Sequence, residues 1–433
     1  MSMADYLSIS DKERSEMLSL LGLGDVSELF SDLPRELRKK KVTLSDGRSQ
    51  QEVYEALSEI ASRNAVYRSV FRGAGCYNHY IPSALKSIVS REEFVTSYTP
   101  YQPELSQGIL QATFEFQTAM CNLTGMDVAT ASHYSGATAA AEACVMCADK
   151  VKKVVTFDNV NPDTLDTLRT YLSARNIALE VLSAPNGYVE TRKFEGAGAV
   201  YVESPNYYGI LEEVEGICTA AKQSGARVIV GCNPLSLALF KPPAECGADV
   251  AVGDAQPFGL AMSFGGPSLG FIAAKRDFMR KLPGRIVGET KDTEGNRAFV
   301  LTLQTREQHI RREKATSNIC SNQAHCALTA AVYLSLLGAK GLKDVAVKCA
   351  SNAHYLAGRL SAAGAKLFYE GEFFHEFVTI TPDKAVAICN ALERKGILGG
   401  LALDRHRILW CCTEKNGKAD MDEVVSVVKE VLC

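Results

Sequence analysis

Hydrophobic positions follow two alternating patterns through the middle of the chain. Short apolar runs of strand length recur there, separated by longer segments with the spacing of amphipathic helices. The short runs predict strands at 151–157, 178–182, 199–203, 227–231, 249–253 and 269–274, and the longer segments predict helices at 137–149, 162–175 and 211–224. Strands alternating with helices are typical of an α/β domain whose mostly parallel sheet is covered on both faces.

The region before this one has a different pattern. Residues 1–100 predict helices, notably at 11–21 and 50–62, joined by loops. A glycine- and aromatic-rich stretch at 71–82 shows no period and therefore predicts an ordered loop. Such a loop either packs domains together or reaches a neighbouring active site, and the sequence leaves both interpretations open.

After the predicted sheet, the polar stretch 283–306 predicts a long loop. Helical spacing then covers 306–336 and 342–363, followed by predicted strands at 365–369, 377–381 and 408–412 and helices at 383–395 and 420–432. The pattern thus predicts three parts, which are an N-terminal helical and loop segment (1–100), a large α/β domain (101–306) and a small C-terminal α+β domain (307–433).

Composition and charge narrow the possible partners. The chain has 433 residues with a formal net charge of −3, and no apolar run approaches the roughly 20 residues that a membrane span needs. The basic run Arg38-Lys39-Lys40-Lys41 is short and lacks interleaved aromatic residues, so neither a membrane nor nucleic acid is expected as a partner. Fourteen cysteines, with no signal-peptide pattern at the N-terminus, indicate a reducing compartment, and we expect the cytoplasm.

One turn of small residues could hold an anion. Ser135, Gly136, Ala137 and Thr138 precede a predicted helix, whose first backbone N–H groups and positive dipole end favour a phosphate. An ordinary Ser/Thr N-cap would have the same sequence, so both interpretations stay open.

Other chemistry-bearing residues near this turn carry weaker signals. His133 and Tyr134 could stack on a flat cofactor, but single residues of these types more often pack or hydrogen-bond. Cys144 and Cys147 share one face of the predicted helix, yet a metal site would need two further ligands at suitable spacing. We therefore expect buried cysteines and no metal.

Several long motifs together resemble one family. They are GAGCYNHYIP at 73–82, YTPYQPELSQG at 98–108, LTGMD at 123–127, GATAAAE at 136–142, QP at 256–257 and SFGGP at 263–267. In this order they resemble the family of subunit 1, the alpha subunit, of the two-chain glycine dehydrogenase (decarboxylating), which is the P-protein of the glycine cleavage system. The resemblance spans nearly the whole chain.

The resemblance implies a fold, a cofactor and partners. The fold would be that of the pyridoxal-phosphate (PLP) dependent transferases of fold type I, the aspartate-aminotransferase-like group. The resemblance implies that the beta subunit carries PLP, that the two chains assemble as alpha2beta2, and that the complex decarboxylates glycine. The aminomethyl group would then pass to the lipoyl arm of H-protein.

Compared with catalytic members of this family, the chain lacks key groups. Ala255-Gln256 stands where the resemblance implies a His-Lys pair, and Val230 stands where it implies an aspartate facing the cofactor's ring nitrogen. An amide cannot form a Schiff base. Lys241 and Lys275 both fall at positions expected to face solvent, so neither is a good substitute. We therefore expect no catalytic residue and no covalent PLP here, and interpret the 135–138 turn as an inherited phosphate cup.

The same resemblance suggests which residues this chain adds to the partner's active site. They are polar or aromatic side chains in predicted non-helical backbone: Tyr77, Asn78, His79, Tyr98, Tyr101, Gln102 and Glu104. Core packing remains an alternative for each of them. Two other functions also stay open at this point, namely a stand-alone PLP enzyme with an atypical lysine and a structural or regulatory pseudoenzyme outside the glycine cleavage system.

Overall fold

The computed structural model describes residues 9–38, 47–148, 150–319 and 321–433. It divides the chain into two compact units, Met1–Ala65 and Val66–Cys433. Most of the basic run, from Lys39 on, lies outside the described residues, as does the last predicted position of the 137–149 helix. The predicted division into three parts stays a prediction.

The first unit contains α1 (Asp11–Leu20) and α2 (Gln50–Ser62), with two short 3-10 turns between them. Each helix begins at a serine N-cap whose hydroxyl accepts a backbone N–H from the glutamate three residues later, while that glutamate accepts in return from the serine. These capping boxes start the helices where the sequence predicts them. Neither helix has a fully buried residue.

The second unit contains the remaining elements. Its helices are α3 (Ser83–Val89), α4 (Glu92–Val95), α5 (Gln107–Thr124), α6 (Gly136–Cys147), α7 (Pro162–Ala174), α8 (Val214–Gln223), α9 (Gln308–Arg311), α10 (Ala324–Ala362), α11 (Ala385–Arg394) and α12 (Lys418–Leu432). Its strands are β1 (Ser69–Val70), β2 (Val128–Ala129), β3 (Lys153–Phe157), β4 (Ala178–Leu182), β5 (Ala199–Glu203), β6 (Arg227–Gly231), β7 (Val250–Asp254), β8 (Gly270–Ala274), β9 (Ile286–Lys291), β10 (Arg297–Thr302), β11 (Glu376–Ile380), β12 (Ile397–Leu398), β13 (Leu401–Ala402) and β14 (Arg407–Cys411).

A seven-stranded sheet in the order β2-β8-β7-β6-β5-β3-β4 forms the centre of this unit. Strands β3 to β7 are parallel, β8 is antiparallel to β7, and β2 is antiparallel to β8. The six predicted strands all form within two residues of their predicted bounds, so the predicted mostly parallel α/β fold is confirmed. The apolar runs predicted them well because both faces of the sheet are buried.

The two faces of the sheet belong to different cores. Alternate residues such as Tyr201 and Ile229 pack in the cluster formed with α6 and α7. Their neighbours, such as Val202 and Val230, pack in the opposite cluster, which includes side chains of α5, α8 and α10. The period of two along each strand therefore decides which side chains reach the α6 side of the sheet.

The polar stretch predicted as a loop is instead a hairpin. Strands β9 and β10 pair antiparallel around a turn at Asp292, whose backbone N–H donates to the carbonyl of Asn296. Val287, Phe299 and Leu301 bury their side chains with Leu110 of α5. The prediction was wrong because only one face of this hairpin is apolar and its tip is polar.

The long helix α10 starts later than predicted. The segment before it is largely irregular and includes the short α9, and the helix breaks at Gly338, whose φ is 60°. Its length and composition alone would allow α10 to cross a membrane, but 44% of its most apolar stretch is buried inside the protein. It packs against α3, α5 and α12, as the core helix of a folded domain does.

A small antiparallel sheet, β11-β14-β13, lies in the C-terminal part of the chain. Its core includes Trp410 and side chains of α11 and α12. Strands β11 and β14 form one residue before their predicted positions, but the predicted strand at 365–369 contributes only an isolated bridge from Leu367 to Thr379. One end of β11 matters for the site, because Glu376 begins that strand.

Candidate functional site

A cavity of about 470 Å³ lies at the carboxyl ends of β5, β6 and β7, beside the N-terminus of α6. We call it the cleft. Ligands of open α/β sheets bind at this edge. A second cavity of about 880 Å³, here the outer cavity, is lined by Gln256 and by the 263–268 turn, where Phe264 is fully exposed. Gly75, Cys76 and Tyr77 line both cavities and so form the wall they share.

The N-terminus of α6 is already bonded to a carboxylate of the chain. Ser135 is the N-cap, and its side chain and that of Thr138 close a reciprocal capping box. The backbone N–H of Gly136 donates to Oδ2 of Asp254 at 2.9 Å. Ala137 lines the cleft beside it. The position at which the sequence predicts an inherited phosphate cup therefore holds the side chain of Asp254.

The structure places the last two residues of β6 on opposite sides of the sheet. Val230 was expected to face the cofactor position, but it is buried in the core on the other side of the sheet. Gly231, one residue later, lines the cleft instead. A Cβ atom at Gly231 would lie 2.5 Å from Oη of Tyr201 and 2.9 Å from Cγ of Glu203. These two side chains fill the space into which a residue at 231 would project.

Gln256, at the predicted lysine position, holds a loop in place. Its Nε2 donates to the carbonyl of Tyr77 at 2.9 Å and to that of Leu260 at 2.7 Å. Its Oε1 accepts the backbone N–H of Tyr77 at 2.9 Å. The side chain is 3% exposed. The amide is therefore committed to fixing the backbone of Tyr77 rather than pointing freely into a cavity.

The predicted residues Tyr77, Asn78 and His79 lie together on this loop. The Tyr77 hydroxyl donates to Oε2 of Glu376 at 2.8 Å, and Lys415 Nζ donates to Oδ1 of Asn78 at 3.0 Å. His79 is buried and bonds through Nδ1 to Glu414 at 2.8 Å. Hydrogen bonds thus hold all three side chains within this chain, whereas the next residue, Tyr80, is 61% exposed.

The cleft is acidic. Asp163, Glu203, Asp254 and Glu376 line it, and among the described residues no lysine, arginine or histidine does. Burial raises the pKa of Glu203, and it raises the pKa of Glu376 to about 7. The Glu203 carboxylate accepts the Tyr201 hydroxyl at 2.8 Å, and Glu376 accepts the N–H of Ala74 at 2.7 Å. An anionic ligand would meet carboxylates on several sides.

These residues do not fit pyridoxal phosphate. The described lining of the cleft has no amine for a Schiff base, Gly231 offers no side chain to a ring nitrogen, and the α6 N-terminus is taken. Lys241 pairs with Glu215 at 2.9 Å, which raises the pKa of its amine, the opposite of what imine formation needs. Lys275 pairs with Asp249 at 3.4 Å.

Lys415 is a lysine that the sequence gave no reason to consider. It lines the outer cavity, where its Nζ bonds to Asn78. A stand-alone PLP enzyme would therefore have to use Lys415 before Lys241 or Lys275. Its side chain is exposed, so it lacks the burial typical of Schiff-base lysines.

The other predicted contributors lie on a separate exposed segment. This segment begins before the 3-10 turn at Pro103–Leu105 and carries the side chains of Tyr98, Tyr101, Gln102 and Glu104. None of the four is among the described residues lining the cleft or the outer cavity. The structure therefore separates the predicted set into the loop at 77–79 and the segment at 98–104.

Tyr101 has contacts that the sequence did not reveal. Nη2 of Arg285 donates to its hydroxyl at 3.0 Å, and the guanidinium lies 5.3 Å from the ring centroid. The ring of His309 packs edge-on at 6.0 Å, and Glu307 lies 3.8 Å from Nε of buried Arg285. Arg285 and Glu307 escaped notice because they fall at the ends of the stretch misread as a loop.

The weaker candidates turn out to be structural. His133 is fully buried, and neither it nor Tyr134 is among the described residues lining the cleft. Burial lowers the pKa of His133 to about 3. Burial likewise raises the pKa of the Cys144 and Cys147 thiols, as expected for packed cysteines. None of these residues is placed to contact a ligand in the cleft.

The acidic residues of the cleft are the functional features that sequence reasoning missed. Glu203 and Asp254 each end a predicted parallel strand, where side chains meet at one edge of the sheet. That position was a usable signal. Glu376 gave none, because it comes from the C-terminal sheet and reaches the loop only through the tertiary fold.

Comparisons with known proteins agree with this geometry. A family model described as "Glycine cleavage system P-protein" matches residues 4–428. The "Probable glycine dehydrogenase (decarboxylating) subunit 1" of Chlorobium limicola is 47% identical over 438 residues, which covers 98% of this chain and 99% of that protein. The corresponding protein of Desulfitobacterium hafniense is 42% identical and covers 99% of this chain and 100% of that protein.

Solved structures are similar as well. One described as "Crystal structure of glycine decarboxylase (P-protein) of the glycine cleavage system, in inhibitor-bound form" matches with a TM-score of 0.92 and 40% identity, covering 99% of this chain and 100% of that chain. An aspartate aminotransferase from Thermus thermophilus matches at a TM-score of 0.59 and 14% identity, covering 84% of this chain and 99% of that one, which supports the fold alone. The fold is thus the aspartate-aminotransferase-like one, and the chain belongs to the glycine cleavage system P-protein family.

Proposed function

We propose that this chain is the subunit of a two-subunit glycine decarboxylase that does not carry the cofactor. The observation that carries the proposal is the Gln256 amide, which stands at the Schiff-base position and is fully engaged with Tyr77 and Leu260. PLP would be bound by the second subunit. The complex would decarboxylate glycine and pass the aminomethyl group to the lipoyl arm of H-protein.

Two features support a shared active site. The similar proteins of Chlorobium limicola and Desulfitobacterium hafniense are both named subunit 1, a name that implies a second subunit, and this chain covers nearly their whole length. The acidic cleft of this chain is also unsuited to a phosphate-bearing cofactor. We infer an alpha2beta2 assembly in the cytoplasm, with glycine and H-protein as the other partners.

Within such an assembly, this chain would shape the partner's site through two features, a partly buried loop and an exposed segment. The loop carrying Tyr77, Asn78 and His79 is fixed by internal hydrogen bonds, so it forms a rigid surface. The segment at 98–104 is exposed, and Arg285 fixes its residue Tyr101. Rigid placement of this kind favours contributions to a neighbouring site, because little side-chain entropy is lost when the partner binds.

Borohydride trapping tests where the cofactor resides. The chain would be produced alone and together with its second subunit, supplied with PLP, reduced with borohydride and analysed by peptide mass mapping. We expect an adduct on a lysine of the second subunit and none on Lys241, Lys275 or Lys415 of this chain. A stoichiometric adduct on any of these three would overturn the proposal in favour of a stand-alone PLP enzyme.

Exchange of bicarbonate into glycine tests whether this chain belongs to the reaction at all. The second subunit and H-protein would be assayed with and without this chain. We expect exchange only when both subunits are present. Full exchange without this chain would instead favour a regulatory or structural protein outside the glycine cleavage system.

A further inference from the structure

Three places in or beside the cleft are occupied by groups of the chain itself. The Asp254 carboxylate lies at the N-terminus of α6, and Glu203 and Tyr201 lie in the space next to Gly231. The Gln256 amide holds the loop that forms the wall of the cleft. The family resemblance implies a phosphate at the first place and an imine at Gln256, and it implies the partner of a ring nitrogen at Val230, the residue before Gly231 in β6. Since all three places are occupied, the absence of a lysine is only one of several features that disfavour PLP in this cleft.

Asp254 is bonded in the way that a bound anion would be. Its Oδ2 accepts the N–H of Gly136 at 2.9 Å and the hydroxyl of Ser268 at 2.6 Å. Its Oδ1 accepts the N–H of Gln256 at 2.9 Å and that of Leu269 at 3.4 Å. These donors come from the start of α6, from the turn after β7 and from the start of β8. Backbone N–H groups at a helix N-terminus, joined by a hydroxyl, are the usual donor set for a small anion.

Little space remains at this point for an external ligand. A Cβ atom at Gly136 would lie 2.9 Å from the backbone nitrogen of Asp254 and 3.0 Å from its Cβ. The helix N-terminus therefore packs directly on the strand end that carries the carboxylate. A phosphate could reach Gly136 only if Asp254 moved away.

Gln256 acts two residues later in the same turn. Its three hydrogen bonds tie the Tyr77 backbone to the turn and leave the side chain 3% exposed. The loop from Ala74 to Tyr80 is also held by contacts to the C-terminal part of the chain, such as those to Glu376 and Glu414, and by Asn161, whose Nδ2 donates to the carbonyl of Ala74 at 3.4 Å. The turn thus connects the loop that forms the wall of the cleft to the carboxyl end of β7.

We propose that the turn Asp254 to Gln256 is an internal ligand of this cleft. Asp254 takes the place of a bound anion and Gln256 fixes the 74–80 loop, so the cleft is fully formed without a cofactor and closed to anionic ligands. The inference deepens the proposed assignment of PLP to the second subunit and rests on it for its biological meaning. Its physical content concerns this chain alone.

Removal of the carboxylate should convert the α6 N-terminus into an anion site. Thermal unfolding of the full chain would be followed at pH 6 in inorganic phosphate and in chloride of equal ionic strength, because Glu376, with a pKa of about 7, is mostly neutral there. We expect no phosphate-specific shift for the wild type and a saturable rise of about 2 °C for Asp254→Ala. Asp254→Ser, which also opens the position, should behave in the same way.

Asp158 provides a matched control. Its carboxylate also accepts a backbone N–H, from Ala184, and a hydroxyl, from Ser183, but it is exposed and does not line the cleft. Asp158→Ala should show no phosphate-specific shift. The proposal is overturned if phosphate stabilises the wild type as much as it stabilises the Asp254 variants. It is also overturned if a folded Asp254 variant, either Asp254→Ala or Asp254→Ser, responds to phosphate no more than Asp158→Ala does. The wild-type measurement decides even if both Asp254 variants fail to fold.

Amide hydrogen exchange tests the second half of the proposal. Gln256→Ala should raise the exchange rate of the Tyr77 amide at least tenfold, since that N–H loses its acceptor. Gln117→Ala removes an equivalent pair of bonds to Val287 and should leave the Tyr77 amide unchanged. Equal protection of Tyr77 in the wild type and in Gln256→Ala would refute the role of Gln256. Neither experiment involves the second subunit, so its failure is distinguishable from a failed trapping result.

Discussion

Two buried glutamines make the same pair of hydrogen bonds in two different surroundings. Gln117 of α5 donates to the carbonyl of Val287 and accepts its N–H, both at 2.9 Å. Gln256 does the same with Tyr77 at the same distances. Each amide thus makes the pair of hydrogen bonds to a backbone N–H and carbonyl that a neighbouring β-strand would otherwise make. Val287, the partner of Gln117, belongs to the apolar cluster with Leu110, Phe299 and Leu301. Gln256 instead lines the outer cavity, and its partner Tyr77 borders both cavities and bonds to the carboxylate of Glu376.

The difference shows what each amide contributes. The interface of α5 with the hairpin has a second such amide, because Gln107 bonds to the N–H and carbonyl of Phe299, both at 2.9 Å. Apolar packing therefore keeps water away from two polar pairs there. Around the cleft, by contrast, the Tyr77 backbone depends on the single amide of Gln256, and Tyr77 borders both cavities, from which water can reach it. The same bonds should be costly to lose in the first region and mild to lose in the second.

Restoring a lysine at the cleft should break the turn rather than recreate an enzyme. Gln256→Lys would bury an ammonium group and remove the acceptor for the Tyr77 N–H, which we expect to cost about 4 kcal/mol of stability. It should gain no borohydride-trapped PLP, because the other cofactor contacts are missing. Denaturant unfolding and trapping of the purified variant check both statements.

The exposed Gln51→Lys in α2 is the control, and it should change stability by less than about 0.5 kcal/mol. A Gln256→Lys variant that is as stable as the wild type and forms an imine would show that the cleft still accepts a cofactor. That result would remove the contrast between the two regions.

The cleft should also respond to pH where the hairpin interface does not. Burial raises the pKa of Glu376 from 4.5 to about 7, so the folded state holds the proton more tightly than the unfolded state. The contribution of this group to the free energy of unfolding is fully present below about pH 4.5 and is lost as the pH rises toward 7. Glu376→Gln removes this loss. The variant should gain roughly 3 kcal/mol relative to the wild type between pH 4.5 and pH 8, measured by denaturant unfolding across that range.

Glu376 accepts the Tyr77 hydroxyl and the Ala74 N–H, so the titration should be felt by the loop itself. Hydrogen exchange of the 74–80 segment should therefore accelerate between pH 5 and pH 8 more in the wild type than in Glu376→Gln, after correction for the intrinsic pH dependence of exchange. A stability difference between the two proteins that stays constant with pH would contradict the raised pKa.

Replacing each glutamine by methionine compares the two regions directly. Methionine has a similar size but cannot make the bonds, so it leaves the backbone groups of Val287 or Tyr77 unpaired. We expect Gln117→Met to cost about 2–3 kcal/mol, because no cavity brings water to Val287, and Gln256→Met to cost about 1 kcal/mol. Denaturant unfolding of both variants measures the difference in stability. Equal costs would mean that water does not hydrogen-bond to the unpaired backbone groups of Tyr77.

Much of the fold was predictable from the sequence, for a physical reason. The strands of the central sheet are buried on both faces and read as continuous apolar runs, so their bounds came out within two residues. The β9–β10 hairpin has one apolar face and was missed. Which residue at the end of β6 lines the cleft was also out of reach, because neighbouring residues of a strand point to opposite faces, and Gly231 lines the cleft whereas Val230 is buried in the opposite core.

The site was less predictable, because its contacts join distant parts of the chain. The family resemblance alone indicates Gln256 as the residue at the expected lysine position. Its bond to Tyr77 could not be predicted, since the two residues are 179 positions apart. The bond between Gly136 and Asp254 spans 118 positions in the same way. Short-range patterns give elements and caps, but they do not give the pairing of side chains across the fold.

The exposed segment at 98–104 gives a third point of comparison, and its expected effect is on activity alone. Tyr101 is held by Arg285 and His309 without lining either cavity. If it contributes to the second subunit's site, Tyr101→Ala should lower glycine–bicarbonate exchange by the complex about tenfold while the complex stays intact on sizing columns. Tyr101→Phe keeps the ring under the guanidinium and should retain more activity than Tyr101→Ala.

Tyr188 is the matched control, because it is another partly exposed tyrosine, and Tyr188→Ala should leave exchange unchanged. If the Tyr101 variants lose activity and also no longer bind the second subunit, the residue contributes to assembly instead. Unchanged exchange in Tyr101→Ala would show that the Arg285 contact only secures the segment within this chain. In that case the Tyr77 loop, held by Gln256, would be the remaining candidate for a contribution to the partner's site.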